Sequence, residues 1–220
     1  MKKIIIFLYF SIFFSCSSNK NIKYNNYDNI QAETKSEYLL SAQIDIVNDF
    51  LEVELNSPSY KSKLENSIYV VDDAGNGTKN ILIYEYAYND FYNNNDEVTI
   101  DDIDRLGLIL NSQQTFELKN QFLSEKKYLW KNSDFKNLKI TIVKIDTLSN
   151  YLKGSEYLNL SNNIILFIQK PVMINKNDAL ISIYSRIGFV GHNISNYTAL
   201  MTNIEGKWYI KNKYWDGSME

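Results

Sequence analysis

Cysteine is almost absent from this chain: its 220 residues contain one, Cys16. A lone thiol closes no intrachain disulfide, and it supplies no cysteine cluster for zinc or iron–sulfur chemistry. Histidine is as scarce, with His192 alone. Any Ser–His–Asp triad would have to use it, because the base of that arrangement is an imidazole. Beyond residue 14 no apolar run approaches the roughly 20 residues of a membrane-spanning helix. Formal net charge is −3 and the positive residues are scattered, so the cationic stripe of a nucleic-acid binder is missing. No motif points to a catalytic residue, a cofactor or a metal.

What is present comes first at the amino terminus. Lys2 and Lys3 precede an apolar run over residues 4–14, interrupted by Ser11. A positive start, an apolar run of about 7–15 residues and a small residue describe a secretory signal. Phe13-Phe14-Ser15-Cys16 resembles a bacterial lipobox, with Phe13 where Leu is usual. That resemblance implies cleavage before Cys16, a diacylglycerol on its thiol and an acyl chain, palmitate for example, on its new amino terminus. Each buried CH₂ contributes about 0.8 kcal/mol, so three chains would anchor the protein firmly. A free cysteine inside an ordinary signal peptide or membrane anchor is the alternative. Ser17 stands where an Asp would resemble an inner-membrane retention signal, which favours the outer membrane. Residues 17–20 lack the acidic cluster that would resemble a surface-export signal of Bacteroidota, which favours the periplasmic face.

Without residues 1–15 about 205 remain, and loss of Lys2 and Lys3 takes the net charge from −3 to −5. An apolar fraction of 45% is ordinary for a folded domain. Residues 16–33, rich in Asn, Ser and Lys, read as the lipidated cysteine and a flexible tether. Residues 34–220 read as one α+β globular domain.

Within it, residues 36–55 place Leu40, Ile44, Val47, Leu51 and Leu55 at helical spacing, with Phe50 alongside. Thr34 and Glu37 suit a capping box, and Pro58 limits continuation. Two runs rich in β-branched and aromatic residues, 68–71 and 81–88, flank Asn76-Gly77, a hairpin signal. The two-residue period then predicts Leu82, Tyr84, Tyr86 and Tyr88 on one sheet face, and Ile81, Ile83 and Ala87 on the other. Helices are predicted over residues 99–110 and 114–130, the second offering Phe116, Leu118, Phe122, Leu123, Leu129 and Trp130 to the core. Further strands are predicted over 138–145, 164–169, 179–185, 197–202 and 208–214, with Glu205-Gly206 as the last hairpin turn. The order predicts N-terminal helices packed on an antiparallel, strongly twisted sheet. Trp208 is expected to face the core beneath the first helix, with Lys207 in water.

The run from Lys170 to Gly217 carries Lys170-Pro171-Val172, Ala179-Leu180-Ile181, Tyr184-Ser185, Gly188, Gly191, Gly206-Lys207-Trp208 and Trp215. In these residues it resembles a group of small uncharacterised lipoproteins from Bacteroidota. Some members carry a Cys near each of the two glycines, where this chain has Phe189, Val190 and His192. The Gly-Lys-Trp ending is also similar to cone-shaped, cystatin-like sheets. The resemblance implies a location and a fold, and no activity.

Candidate chemistry has a plain reading beside it in each case. Asp96, Glu97, Asp101, Asp102 and Asp104 offer oxygen ligands for calcium, yet lack the EF-hand order and equally suit a solvated loop before a helix. The run from Asp72 to Gly77 is a turn before it is a ligand loop. Gly191-His192-Asn193 reads as a loop between strands. Tyr84, Tyr86 and Tyr88, with Tyr92, form a possible ligand surface for sugars or peptides, because Tyr joins a broad face to a polar tip. Packing under the first helix is the alternative. The expected role is a non-enzymatic binding or structural module of the cell envelope, held to the membrane through Cys16, with an envelope protein or small ligand as partner and no nucleic acid. A periplasmic hydrolase using paired carboxylates is the alternative, since that pair needs a spatial separation and no sequence motif.

Overall fold

The computed structural model describes residues 25–61, 63, 67–94, 106–136, 138–151, 162–188 and 192–215. The chain divides into two units, residues 1–37 and 38–220, and the sheet with its helical cover belongs to the second. Helix α1 spans Asn25–Leu55. Its start lies within the stretch read as a tether, and Thr34 is inside the helix instead of capping it. The buried row runs Gln43, Ile46, Val47, Phe50, Leu51, Glu54 and Leu55, while Leu40 and Ile44 are half-buried. Helical spacing therefore located the stripe, rotated by part of a turn from the expected one. Pro58 opens the one-turn helix α2 (Pro58–Lys61), which buries Tyr60.

Strand β1 (Ile68–Val71) follows, and here the expected hairpin is overturned. Residues 81–88 lie in helix α3 (Thr78–Asn94). Asp73 Oδ1 accepts from the Gly75 N–H at 2.8 Å, Asn76 Oδ1 from the Thr78 N–H at 3.2 Å, and Gly77 O from the Asn80 N–H at 3.0 Å. These bonds turn the chain out of β1 and start the helix. A type I′ turn needs positive φ at both central residues. Gly77 has it at +87°, and Asn76 does not, since Glu205 is the sole non-glycine residue with positive φ among those described. Along the run, Ile81, Tyr84 and Tyr88 also repeat at helical spacing, as do Ile83, Ala87 and Phe91. That period wins because β1 pairs parallel with its neighbours, and parallel strands need a long crossover.

Gly77 is required for two reasons, its φ of +87° and its closeness to the chain beyond. A Cβ there would lie 2.5 Å from Val172 Cγ2 and 3.1 Å from Lys170 O. Gly77→Val should therefore destabilise the fold by more than about 1 kcal/mol, measured by urea denaturation. An unchanged midpoint would contradict the close approach.

Helix α4 (Ser112–Leu123) has Asn111 as its cap, in a reciprocal pair with Gln114. It stops well short of residue 130: Tyr128 and Trp130 instead bond across to Gly75, Ala74 and Asp72 beside the end of β1. Phe122 and Trp130 reach the core as expected, whereas Phe116, Leu123 and Leu129 are exposed. Of the helix expected at 99–110, residues 99–105 lie outside the described residues, and 108–110 are not helical.

The remaining elements are β2 (Ile140–Val143), α5 (Ile145–Tyr151), β3 (Ile164–Ile168), β4 (Val172–Met173), β5 (Asp178–Ile187), β6 (Asn193–Ile204) and β7 (Lys207–Tyr214). The class is α+β. Seven strands of the described residues form one sheet in the order β2-β1-β3-β5-β6-β7, with β4 beside β5. It is mixed, correcting the expected antiparallel sheet: β1 runs parallel to β2 and β3, and the later pairs are antiparallel. Glu205 at φ 53° and Gly206 at φ 90° make the β6–β7 turn, closing Ile204 against Lys207.

Alternate strand residues serve two faces. Ala179, Ile181, Ala199 and Met201 join Phe50 of α1 on one, and Leu180 and Leu200 join Ile81 and Tyr84 of α3 on the other. In β7 Trp208 and Tyr214 are six positions apart, so strict pleating would put both on one face. Met201 pairs with Ile210 and Leu200 with Asn212, which leaves Lys211 as the extra residue of a bulge. The bulge sends Trp208 to the α1 side and Tyr214 to the α3 side.

Candidate functional site

The last turn of α1 places Glu54 in its buried row, where an acid needs partners. β6 supplies Ser195 and Tyr197, two residues apart and so on one face, and β7 supplies Lys213 opposite Ala199. Glu54 accepts from Ser195 Oγ at 2.8 Å, from Lys213 Nζ at 3.1 Å and from the Tyr197 hydroxyl. Lys213 Nζ also lies 4.2 Å from the centroid of the Tyr197 ring, over its face. Tyr60 shares a short hydrogen bond with Ser185. Burial first, and then the charge of Glu54, hold the Tyr197 hydroxyl far above the usual tyrosine range. Tyr197 accordingly keeps its proton and donates it in a hydrogen bond to Glu54. Ser195 is buried, which keeps a substrate away from its Oγ. The network is a buried carboxylate satisfied by two hydroxyls and a partly exposed lysine, and it ties α1 to β6 and β7.

Burial likewise pushes Tyr60 and Tyr84 up to about 12. Their folded values lie above the unfolded value near 10. The stability they contribute is thus fully present below about pH 10 and is lost as pH rises through about 12. Base titration should show tyrosinate absorbance rising together with loss of near-ultraviolet circular dichroism. Ionisation of all 17 tyrosines while the protein stays folded would contradict this.

Where β7 ends, its two faces open on a groove of about 430 Å³. Tyr86, Ala87, Asp90, Phe91 and Asn94 of α3 line it, with Leu106, Leu108, Lys213, Tyr214 and Trp215. Tyr214 donates to Leu106 O at 3.1 Å and Gly107 O at 2.8 Å, and meets Tyr84 edge to face at 5.1 Å. Tyr84 in turn donates to Leu110 O at 3.2 Å and accepts from the Leu110 N–H at 2.9 Å. Two buried tyrosines thus hold residues 106–110 against α3 and β7. Gly107, at φ +60°, has no room for a Cβ, which would meet Asn212 Nδ2 at 2.1 Å. Tyr86 and Trp215 are 47% and 49% exposed, and the Trp215 ring also lies 6.1 Å from that of Tyr197.

A second trough follows α1, lined by Asp45, Asn48, Asp49, Glu52 and Lys136 among others. Its acids are engaged: Asp45 with Lys136 at 2.7 Å, Glu52 with Lys207 at 3.3 Å, and Asp49 with the Trp208 N–H at 2.8 Å. Exposed pairs of this kind contribute little stability.

The residues singled out from sequence fall unevenly. Tyr84, Tyr86 and Tyr88 do not form the expected sheet face, because all three lie on α3. Tyr84 is buried, Tyr86 lines the groove, and Tyr88 is half-buried against Tyr92 at 4.5 Å. His192 is exposed between β5 and β6. Asp72 Oδ1 accepts from the Ile145 N–H at 3.0 Å, so it is a turn residue that also serves the start of α5. Cys16 and the acids from Asp96 to Asp104 lie outside the described residues. Among those described, no cluster of three His, Cys, Asp or Glu is disposed to hold a metal, and no helix is long and apolar enough to cross a membrane. Glu54 and Lys213 were missed. The one signal was an acid on the apolar row of α1. Comparison with protein-family models, with curated proteins and with solved structures gives no match to this chain.

Proposed function

We propose that this protein is a cell-envelope lipoprotein, anchored through acyl chains on Cys16 at the periplasmic face of the outer membrane, and that it acts by binding. One observation carries the binding role: Tyr86 and Trp215, each about half exposed, line a single concave groove of about 430 Å³. That volume falls within the roughly 300–1,000 Å³ usual for ligand pockets, which combine apolar walls with a few polar groups. The hydrolase alternative gains no comparable support, since the acids along α1 are already occupied by lysines and a backbone amide.

Two measurements test the two halves. Cys16→Ala should leave the protein unprocessed or released from membranes, and mass spectrometry of a mature amino terminus that is unmodified and beyond Cys16 would sink the anchor. Crosslinking in intact cells should capture material that the Tyr86→Ala/Trp215→Ala variant loses while staying folded and membrane-bound. Identical capture by both proteins would refute the groove as the binding surface.

A further inference from the structure

We infer that the groove between α3 and the end of β7 takes a neutral saccharide, an inference that rests on reading this groove as the binding site. Its apolar lining combines the aromatic residues Tyr86, Phe91 and Trp215 with Ala87, Leu106 and Leu108. A sugar ring has C–H faces that stack on such rings and a rim of hydroxyls that must find partners. Those partners are at hand in Asp90, Asn94 and Lys213. Asn94 Nδ2 donates to Asp90 Oδ1 at 2.8 Å, which orients both side chains. Among the described residues no donor is seen on the second Asp90 oxygen or the Asn94 carbonyl oxygen, and the Lys213 ammonium has more than one proton to donate.

Charge decides among ligand classes. The ammonium of Lys213 is held 3.1 Å from the buried carboxylate of Glu54, so little positive charge is left over for an anion. An anionic ligand would also meet Asp90. A cation would find Asp90 and the ring faces, yet it could accept no hydrogen bond from the Lys213 and Asn94 donors on the same surface. Hydroxyls both donate and accept, so they suit acceptors and a donor lining one groove. Neutral, polyhydroxylated and flat on one side is the chemistry that fits.

The test uses fluorescence of the full chain. Trp130 and Trp208 are 3% and 4% exposed, so the solvent-sensitive emission comes from Trp215. Titration with chitotetraose or maltotetraose should give a saturable blue shift that is absent in Trp215→Phe. Tyr86→Ala should weaken this binding about tenfold without moving Tm, because Tyr86 is exposed. A sugar response that survives Tyr86→Ala undiminished would overturn the groove as the sugar site. A response to tetramethylammonium or acetate and none to either sugar would overturn the saccharide and keep the groove as a binding site. The same holds if no sugar binds but capture in cells still depends on Tyr86 and Trp215. No response to any probe, with capture independent of those two residues, would overturn both readings.

Discussion

Trp208→Ala is expected to cost about 3–5 kcal/mol, a large share of the 5–15 kcal/mol typical of a whole domain. Trp208 is 4% exposed and packs in the cluster that contains Ile46, Phe50, Tyr197 and Met201. Removing the indole opens a cavity that α1 can only partly close, because α1 is also tied to β6 and β7 through Glu54. The Trp208 N–H bond to Asp49 survives the change, so the loss isolates side-chain packing. Urea denaturation reads the stability. Acrylamide quenching should be measured in a Trp215→Phe background, since Trp215 is 49% exposed and would mask a shielded Trp208. A loss under about 1 kcal/mol together with strong quenching in that background would make Trp208 a surface residue.

The second large effect falls on Glu54. Glu54→Ala should cost about 2–4 kcal/mol, because each buried hydroxyl left without its acceptor costs roughly 1–3 kcal/mol. Its loss leaves Tyr197, Ser195 and Lys213 without their common acceptor. Lys213, a third exposed, can turn to water, whereas the two hydroxyls are buried. Lys213→Met is expected to destabilise as well, because it strands the carboxylate. Against the single variants Glu54→Leu and Lys213→Met, the double variant Glu54→Leu/Lys213→Met should be more stable than the sum of their losses predicts, since removing both charges leaves neither without its partner. Simple additivity would show that the two charges do not depend on one another.

Parts of this architecture were legible in local sequence. The apolar row of α1, the runs that became β3, β5, β6 and β7, and the Glu205-Gly206 turn all express short-range rules of period and φ. Residues 81–88 were not legible in the same way, because ILIYEYAY satisfies a two-residue period and a helical one at once. The choice came from β1, whose parallel partners lie 72 and 96 positions along the chain, from Ile68 to Ile140 and Ile164. Tyr86 was singled out as a binding residue, but beside Tyr84 and Tyr88 as strand neighbours. Helical geometry removes Tyr84 to the core and gives Tyr86 the company of Phe91 and Trp215.

The amino-acid sequence by itself determined which segments carry an apolar stripe, where glycine permits a sharp turn, and that these 220 residues hold neither an intrachain disulfide nor a cysteine cluster. Tertiary structure alone decided the mixed sheet, the bulge at Lys211, the partners of Glu54 and the groove. Each of these depends on which distant segments meet: Glu54 meets Tyr197 and Lys213 across 143 and 159 positions. A stripe or a turn is settled by the energies of neighbouring residues, which local spacing records. A paired buried charge and an aromatic groove are settled by contacts between remote segments, which local spacing does not record.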